Sequence, residues 1–463
     1  MVQFDWLPQL DNSDGPIWRR LVESIGSAID AGTLPEGTRL PPHRDLAFRL
    51  GVGVGTVSKA YTEAERAGLV ASHVGRGTFV AARASVRSLQ QPLGLIDMAR
   101  NLPPLAPVLA RLGDTVGRLR DRSDLAALVD YTPAVGLEPV RAAGARWIRE
   151  KIAVPHARAE DLIQTNGGQQ ALMLACSSFA RPGDTILCDV ATYPGNRIVA
   201  THGGWDLRGI RDDGRGMDPD DLDRVAAETG ARIVILIPTL HNPTTVTLDA
   251  ARRAEIARVA RARNLLIIED DICRAFGKAE AIPTFAEIAP DITLHITSLS
   301  KSLAPGLRLA FILPPADREA RDRLMIAQQA SLYCPSAAGA LLFAQWMEDG
   351  TADLILGEVL AETARRTALA QEILGDAVAE LHTPHSLHVW LPMAAPHARR
   401  IADIAIKSGV EVTPPDAPFG PNDDPTGIRL CLGAEADIDR LTQALQTVRA
   451  AMEDRSVQVR GIV

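Results

Sequence analysis

A series of short apolar segments, separated by stretches of helical periodicity, constrains the fold of this 463-residue chain more than any other feature. The segments recur at regular intervals from about residue 98 onward: DTILCDVATYPG, RIVILIPTLHNPTT, LLIIEDDIC, ITLHITS and LRLAFILPP. Buried strands that alternate with helices are typical of a largely parallel sheet covered on both faces. The pattern therefore predicts a large α/β domain over residues 98–314.

Polar side chains follow four of these apolar segments at the point where each ends. Tyr193 follows ILCDVAT, Asn242 follows IVILIPTLH, Asp270 follows LLIIE, and Lys301 follows LHITSLS. Ligand-binding residues of such folds gather at the carboxyl ends of the strands. Any one of the four, taken alone, is more typical of a loop residue or a helix cap. As a set they indicate a single site.

Lys301 stands out because lysine is scarce, with only five among the 49 lysines and arginines. It lies in TSLSKSLAPGLRLAF, flanked by Ser298 and Ser300 and followed by Arg308. A desolvated amine near other cations attacks carbonyl groups readily, and arginine and hydroxyl groups bind phosphate. An aldehyde that carries a phosphate is pyridoxal 5′-phosphate (PLP). This stretch alone leaves two hypotheses, a Schiff base between PLP and Lys301, or a solvated loop lysine with a structural arginine.

The composition is that of an ordinary globular protein, with 46% hydrophobic and 23% charged residues, and the length corresponds to about three domain-sized units. No run of eighteen or more apolar residues predicts a membrane span, and the acidic N-terminus has no secretory signal pattern. The five cysteines form no CxxC pair. Their odd number and scatter predict a reduced, cytosolic protein without a metal site.

Residues 16–82 show the pattern of a winged helix-turn-helix. An amphipathic helix is followed by the helix HRDLAFRL, a turn around Gly51 and Gly53, and a second helix, TVSKAYTEAERAG. LVASHVGRGTFVAA then predicts a small hairpin. From residue 39 to residue 80 there are six Lys or Arg against three Asp or Glu, whereas the whole chain has a net charge of −8. The local charge favours DNA as the partner of this segment.

The motif RLPPHRDLA…LGVGVGTVSKAY…GRGTFV resembles the DNA-binding domain of the GntR family of bacterial transcription regulators. The resemblance implies a recognition helix in the major groove, with the wing near the backbone or minor groove. Gly53 and Val54 stand where the family usually has polar or basic residues, which implies weaker base contacts there. A winged helix used only for protein contacts is the alternative. The DNA contacts implied by the resemblance are Arg44, Thr56, Ser58, Lys59 and Arg76, with Arg39 a weaker candidate.

Two further parts of the chain complete the predicted organisation. Residues 83–97 show no clear periodicity and are interpreted as a linker between the DNA-binding domain, residues 1–82, and the large domain. Residues 315–463 alternate helical stretches with short strands such as LHVWLP and VEVTPP. They predict a small α+β lobe at the C-terminus.

The motifs NGGQQAL, ATYPG, PTLHNPTT, IIEDD, SLSKSLAPGLRL and GIRLCLG make residues 98–455 similar to a fold-type-I, aspartate-aminotransferase-like PLP domain. The resemblance implies that Lys301 binds PLP covalently, that Asp270 pairs with the pyridine nitrogen, and that Asn242 bonds the ring hydroxyl. It implies further that Tyr193 stacks on the ring. The phosphate-binding residues that it implies are Gly168, Gln169, Ser298 and Arg308.

The same resemblance assigns two residues outside the immediate cofactor cradle. Arg429, in GIRLCLG, is expected to bind the α-carboxylate of a substrate or effector. Tyr131, in DYTPAVG, matches the tyrosine that reaches the phosphate of a neighbouring subunit, which implies a homodimer. The family commonly has a tyrosine shortly after the aspartate, but Ile272 and Cys273 occupy these places here. The site is still expected to bind the cofactor, but fast catalytic turnover is less expected.

A winged helix joined to an aminotransferase-like domain resembles the MocR-type subfamily of GntR regulators. This resemblance implies a cytoplasmic, PLP-dependent transcription regulator that binds double-stranded DNA as a homodimer and senses an amino compound or PLP. The alternative is an active PLP-dependent aminotransferase that carries an accessory DNA-binding module. The same site residues serve both hypotheses, because Lys301 would be the general acid and base of a proton shift.

Overall fold

The computed structural model describes residues 6–8, 16–31, 33–35, 37–66, 69–73, 77–80, 95–277, 282–381 and 383–454. The chain divides into two compact units, Met1–Pro92 and Leu93–Val463. Each unit has a hydrophobic core of its own. Within the described ranges, no helix combines the length and the apolar character that crossing a membrane requires.

The described residues of the first unit form three helices and one hairpin. Their bounds are Ile17–Asp30 (α1), His43–Leu50 (α2), Val54–Arg66 (α3), Val70–His73 (β1) and Gly77–Val80 (β2). The two strands are antiparallel, with Val70 opposite Val80. The core is formed by apolar residues of all three helices and both strands, among them Leu21, Ile25, Leu46, Val57, Val70 and Val80. The predicted winged helix-turn-helix is confirmed.

The turn between α2 and α3 is set by Gly51. Its φ of +65° places it in the left-handed region, where glycine has no steric penalty. The Gly51 amide donates to Phe48 O and the Val52 amide donates to Ala47 O, the double bond of a Schellman motif. The chain therefore leaves α2 abruptly and enters α3 after three residues, which is the helix-turn-helix geometry.

The second unit begins with strand Ile96–Met98 (β3) and contains a seven-stranded sheet. The order across this sheet is β4-β10-β9-β8-β7-β5-β6, and only β10 runs antiparallel to its neighbours. The largely parallel sheet predicted from the apolar segments is thus confirmed. The strands are Ile163–Thr165 (β4), Thr185–Asp189 (β5), Asp206–Ile210 (β6), Ile233–Leu236 (β7), Leu266–Asp270 (β8), Thr293–Ser298 (β9) and Ala310–Leu313 (β10).

Helices cover both faces of this sheet. Ile233 and Ile235 point to one core cluster and Val234 and Leu236 to another, as alternation along a strand requires. The helices of the second unit are Ala106–Leu119 (α4), Glu138–Trp147 (α5), Gly168–Phe179 (α6), Pro194–Gly203 (α7), Pro219–Thr229 (α8), Ala250–Arg263 (α9), Phe285–Ile288 (α10), Arg318–Leu332 (α11), Ala338–Glu348 (α12), Thr351–Leu374 (α13), Ala395–Lys407 (α14) and Ile438–Glu453 (α15).

Three further strands belong to the C-terminal lobe, namely His388–Pro392 (β11), Val410–Val412 (β12) and Gly427–Cys431 (β13). β11 and β13 are antiparallel, whereas β12 pairs in parallel with β3. One core cluster unites these strands with α13, α14 and α15. Ile96 and Asp97 fall in the interval 83–97 that the sequence predicts as a linker, and here they form part of β3. The first strand of the second unit therefore belongs to the C-terminal lobe.

Candidate cofactor site and candidate DNA-binding helices

One cavity of about 430 Å³ lies at the carboxyl ends of the parallel strands. Its volume falls in the ordinary range for small-molecule sites. It brings together every residue of the second unit that the sequence predicts for the site, apart from Tyr131. These lining residues are Gly168, Gln169, Tyr193, Asn242, Asp270, Ser298, Lys301, Arg308 and Arg429.

Lys301 follows β9 and extends its amine into this cavity. The amine donates a hydrogen bond to the main-chain oxygen of Asn101. Desolvation lowers the pKa of Lys301, and the nearby Arg429 guanidinium lowers it further. A lowered pKa increases the share of neutral amine, which is the nucleophilic form. Lys301 is therefore suited to form a covalent bond with an aldehyde.

Asp270 ends β8 and is buried at the floor of the cavity. Its carboxyl group accepts no hydrogen bond from the described residues, and burial, followed by the charge of Asp271, raises the pKa of Asp270 to about 7. A buried carboxyl without a partner is costly unless a donor or a cation joins it. The position of Asp270 therefore favours a ligand with a cationic N–H group.

Two glycines, Gly167 and Gly168, lie next to Arg308 and Ser298 on another side of the cavity and leave space there because they have no side chains. Gly167 has a φ of +93°, and a Cβ atom there would lie 2.6 Å from Arg308 Nη2. Helix α6 begins at the next residue, so its first amide groups face the same space. Amides at a helix N-terminus together with a guanidinium group form a common phosphate site.

Two hydroxyl groups add to this phosphate-binding side. Ser298 Oγ lies 3.0 Å from Ser300 Oγ, and both residues line the cavity. The Arg308 guanidinium is exposed and is held by a 3.2 Å hydrogen bond from Nη2 to Asn166 O. Arg308 itself adopts a left-handed conformation with φ +47°. The hydroxyl and guanidinium donors thus converge with the helix amides.

Tyr193 presents its ring to the cavity and is fixed through its hydroxyl group. Tyr193 Oη donates to Gln169 Oε1 over 3.0 Å, and Gln169 Nε2 donates to Gly195 O over 3.0 Å. A Cβ atom at Gly195 would lie 2.1 Å from the tyrosine ring. The bare glycine therefore permits the ring position, and burial raises the pKa of Tyr193, so that its hydroxyl stays protonated.

Arg429 is buried on β13, and its guanidinium group donates hydrogen bonds on several sides. Nη1 donates to Asn242 Oδ1 over 2.6 Å, Nη2 to Ala99 O over 2.9 Å, and Nε to Thr413 Oγ1 over 3.1 Å. Arginine has five N–H groups, so two remain after these bonds to described residues. The guanidinium is pre-oriented, which suits a group that receives a carboxylate.

Several cavity residues escaped the sequence analysis. Arg100 and Asn101 line the cavity just beyond β3. His388 supports Asn101, since Asn101 Nδ2 donates to His388 Nδ1 over 3.4 Å and His388 Nε2 donates to His241 O over 3.4 Å. Burial lowers the pKa of His388 to about 3, so the ring is neutral. A lone histidine in an apolar strand offers no sequence signal for such a role.

Three residues singled out in the sequence differ in whether the structure places them in the cavity. Ile272 and Cys273, which stand where the family commonly has a tyrosine, both line the cavity. Burial raises the pKa of Cys273 to about 12, so its thiol is protonated. Tyr131 lies outside the cavity, 78% exposed, with its ring centre 5.2 Å from that of Tyr333.

In the first unit, the predicted DNA contacts lie on two helices. Arg44 is exposed on α2, and Thr56, Ser58 and Lys59 lie on α3. Two of them already have contacts within the unit, because Ser58 Oγ is 2.9 Å from the ring nitrogen Nδ1 of His43 and Lys59 Nζ lies 4.4 Å from the centre of the Trp18 ring. Lys59 is nevertheless exposed.

Two basic residues near the predicted wing complete this list of candidates. Arg76 lies outside the described residues. Arg39 packs against the hairpin, where a Cβ atom at Gly77 would come within 2.9 Å of its Nε atom. Gly77 has a φ of +109°, so the start of β2 combines a left-handed backbone with a close approach.

The buried carboxyl of Asp270 generates a pH-dependent prediction for protein freed of any cofactor. Its folded pKa of about 7 lies above the value of about 3.9 for an unfolded aspartate. Between these values only the folded chain binds the proton, so the free energy of unfolding falls as the pH rises through this window. We expect Asp270→Asn to remove this loss and to raise the free energy of unfolding at pH 8 by up to about 4 kcal/mol.

At pH 4 the same substitution should have little effect, because the folded Asp270 is then protonated and the unfolded aspartate is still about half protonated, so little of the pH-dependent loss has accumulated. Chemical denaturation of wild type and variant at both pH values measures the difference. The matched control is Asp121→Asn, since Asp121 is 72% exposed. An equal effect of Asp270→Asn at pH 4 and pH 8 would contradict the assigned burial cost.

Comparison with known proteins identifies the two units. Residues 95–448 match the family Aminotransferase class I and II, and residues 18–80 match the family Bacterial regulatory proteins, gntR family. The chain is 29% identical over 461 residues to YdeF of Bacillus subtilis, an uncharacterized HTH-type transcriptional regulator, with 97% of each chain covered. It is also 29% identical over 437 residues to PtsJ of Salmonella typhimurium, a vitamin B6 salvage pathway transcriptional repressor, covering 93% of this chain and 97% of the relative.

A solved structure shares the fold of the second unit. It is LysN, the α-aminoadipate aminotransferase of Thermus thermophilus, in complex with N-(5′-phosphopyridoxyl)-L-leucine. The TM-score is 0.68 at 24% identity, over 78% of this chain and 92% of that chain. The fold-type-I architecture predicted from the sequence motifs is thereby confirmed.

The family and the cavity together identify PLP as the cofactor. The unpartnered carboxyl of Asp270 fits a ring N–H group, and the bare backbone at Gly167 leaves the space in front of Arg308 open for a phosphate. Lys301 supplies the amine. The chain belongs to the aminotransferase class I and II family, and it joins this PLP-binding unit to a DNA-binding GntR domain in the arrangement of the MocR-type transcription regulators.

Proposed function

We propose that this regulator senses an amino compound, or PLP itself, through Lys301 and alters its binding to promoter DNA accordingly. The observation that carries the proposal is the pairing, in one cavity, of a desolvated amine with a pre-oriented arginine, Arg429, in a chain that also has a GntR domain. An amine-reactive site beside a carboxylate receptor suits recognition of amino acids and related compounds.

Each residue of the cavity has a proposed part in holding the cofactor. Lys301 would bind it covalently, Asp270 would pair with its ring nitrogen, Asn242 would bond its ring hydroxyl, and Tyr193 would stack on its ring. Bound PLP supplies an electrophilic carbon and an electron-withdrawing ring. The phosphate would be held by Gly168, Gln169, Ser298 and Arg308.

The protein's own hydrogen bonds indicate how occupancy could be communicated. Lys301 and Arg429 both donate to main-chain oxygens of one short segment, at Asn101 and Ala99. A ligand that recruits either side chain competes with these bonds. The segment directly follows β3, the first described element after the GntR domain in the chain. A ligand shifts the conformation only as far as it binds one arrangement better than the other.

We further propose that the protein acts as a homodimer in the cytoplasm. An exposed apolar patch, here called the Tyr131 patch, contains Val129, Tyr131 and Tyr333, which are 91%, 78% and 64% exposed. Exposed patches of this kind mark protein contacts, and Tyr131 would then reach the phosphate of the neighbouring subunit. Promoter DNA as the partner and five unpaired cysteines support a reducing, cytoplasmic setting.

An active aminotransferase with an accessory DNA-binding domain is the second candidate. The completeness of the cofactor cradle favours it, because the same Lys301 could move a proton between substrate carbon atoms and its own amine. Sustained formation of a keto acid from pairs of amino and keto acids would support this alternative. A single half-reaction or none, with ligand-dependent footprints on promoter DNA, would support the regulator.

The assignment of Lys301 is tested by Lys301→Ala. We expect the variant to lose borohydride-fixable PLP and to keep its ligand-free affinity for promoter DNA, because Lys301 lies in the aminotransferase-like unit. Near-ultraviolet absorbance or intact mass after borohydride treatment, and fluorescence anisotropy with labelled DNA, measure the two properties. Lys151→Ala is the control, since Lys151 pairs with Asp353 away from the cavity. Covalently fixed cofactor in Lys301→Ala would show that another residue binds it.

The DNA-binding assignment is tested by the double variant Arg44→Ala, Lys59→Ala. We expect affinity for promoter DNA at low salt to fall at least about tenfold, and the slope of log affinity against log salt to decrease by about 2, since each phosphate contact contributes about 1. The absorbance of bound PLP should not change. Arg120→Ala, an exposed position of the other unit, is the control. Unchanged affinity at low salt would count against these helices as the DNA-binding surface.

The proposed dimer is tested by Val129→Glu in the Tyr131 patch. A carboxylate placed in an apolar contact should raise the dimer dissociation constant at least about tenfold, equivalent to about 1.4 kcal/mol. Sedimentation velocity over a range of concentrations measures it. Ile406→Glu, at an exposed apolar position of α14, is the matched control and should leave association unchanged. Equal association of wild type and Val129→Glu would place the subunit contact elsewhere.

A further inference from the structure

A second cavity, of about 750 Å³, lies at the end of β9 that is opposite to the cofactor cavity. Thr293, the first residue of β9, lines this second cavity, whereas Ser298, the last residue of the strand, lines the cofactor cavity. A strand of six residues therefore separates the two, and at about 3.3 Å per residue its ends are about 17 Å apart. The second cavity, here called the basic recess, is thus a separate site.

Positive side chains outnumber negative ones in the lining of the basic recess. The lining includes four arginines and one histidine against two aspartates. Asp161 pairs with Arg158 over 2.9 Å, so these two charges offset each other. Asp317 caps α11, where its Oδ1 atom accepts a hydrogen bond from the amide of Glu319 over 3.0 Å. The other arginines of the lining are Arg149, Arg318 and Arg321.

Two of these arginines are oriented by main-chain oxygens of one short loop, residues 155–161. Arg149 Nη1 donates to Ala157 O over 2.8 Å, and Arg321 Nη1 donates to Asp161 O over 2.8 Å. A main-chain oxygen carries no net charge, so these bonds fix the guanidinium groups without neutralising them. Each guanidinium has five N–H groups and therefore keeps donors for a ligand. Binding groups held in this way are pre-organised.

The third arginine, Arg318, begins α11 and is exposed. Its guanidinium has no hydrogen bond or ion pair with the described residues. The charge of Arg321 reaches the half-buried Arg141, whose pKa is lowered by desolvation and then by Arg321, an effect that two nearby glutamates offset only in part. Like charges held close together repel each other. An anion in the basic recess would relieve this repulsion.

The remainder of the lining forms an apolar wall, made of Pro155, Ala157, Leu313, Pro314 and Pro315. The volume of the recess is ordinary for a small-molecule site. Guanidinium groups bind phosphate through paired, charge-assisted hydrogen bonds. A phosphate monoester carries about −1.5 to −2 charge at pH 7, which matches the excess of two arginines over two aspartates in the lining. A compound that satisfies both parts of the recess has a phosphate and an apolar body.

We propose that the basic recess is a second ligand site, which binds a small organic phosphate through Arg149, Arg318 and Arg321. The apolar body of the ligand lies against the apolar wall. No residue of the recess lines the cofactor cavity, so this site does not depend on Lys301 or on the proposed sensing of amino compounds. The strand β9 connects the two sites, because its first residue lines one and its last residue lines the other.

The test is isothermal titration calorimetry on full-length protein that is loaded with PLP, reduced with borohydride and freed of excess PLP. The phosphate-binding side of the cofactor cavity is then already filled. The probe is phenyl phosphate, and inorganic phosphate and benzyl alcohol each retain one half of it. We expect phenyl phosphate to bind at least about tenfold more tightly than either half, since it contacts both the arginines and the apolar wall.

Arg318→Gln should weaken the binding of phenyl phosphate at least about tenfold, because it removes a charge-assisted hydrogen bond. The variant should fold as wild type, since Arg318 is exposed. Thermal unfolding checks this. Arg323→Gln is the matched control and should bind as wild type, because Arg323 lies on the same helix outside the recess and pairs with Glu319.

Three results would overturn the proposal. The first is no binding of phenyl phosphate to wild type, or equal binding to wild type and Arg318→Gln. The second is equal affinity for phenyl phosphate and inorganic phosphate, which would make the recess a site for an adventitious ion only. The third is a lower affinity of Arg318→Gln for labelled promoter DNA without phenyl phosphate, measured by fluorescence anisotropy, which would assign this arginine to DNA instead.

Discussion

The burial of two opposite ionisable groups in one cavity, the amine of Lys301 and the carboxyl of Asp270, is the constraint on which the rest of the second unit depends. Desolvation lowers the pKa of the amine and raises that of the carboxyl, so each group is driven toward its neutral form. Bound PLP would relieve both costs, because Lys301 would hold its aldehyde carbon and Asp270 would pair with its ring nitrogen. The parallel sheet holds these groups in place because β8 and β9 end at the same edge.

The segment Ala99–Asn101 connects this cavity to the remainder of the unit. Its main-chain oxygens accept hydrogen bonds from Arg429 and Lys301, and it follows β3, which pairs with β12 of the C-terminal lobe. These three residues therefore accept hydrogen bonds from two cavity side chains and directly follow the strand that pairs with the C-terminal lobe. That strand is also the first described element after the GntR domain in the chain. A regulator needs this kind of convergence, because a ligand must alter the balance between two arrangements rather than only occupy a cavity.

The large sheet and most of the cavity could be predicted from the sequence, since apolar segments that end in polar residues place those residues at one edge of a parallel sheet. Asn242, Asp270 and Lys301 were found in this way. Strand β3 could not be predicted in this way, because three residues are too few to show an alternation of apolar and polar side chains. Its partner strand, β12, lies more than 300 positions later in the chain. Arg100 and Asn101, which line the cavity just beyond β3, were missed with it.

The central claim, that occupancy at Lys301 controls DNA binding, is tested most directly by a single titration that records two signals. Labelled promoter DNA and PLP-loaded protein are mixed, and an amino compound is added while visible absorbance and fluorescence anisotropy are measured together. The account predicts that both signals change with the same midpoint and that neither changes in Lys301→Ala. An absorbance change at Lys301 with constant anisotropy, at every salt concentration that permits DNA binding, would contradict it.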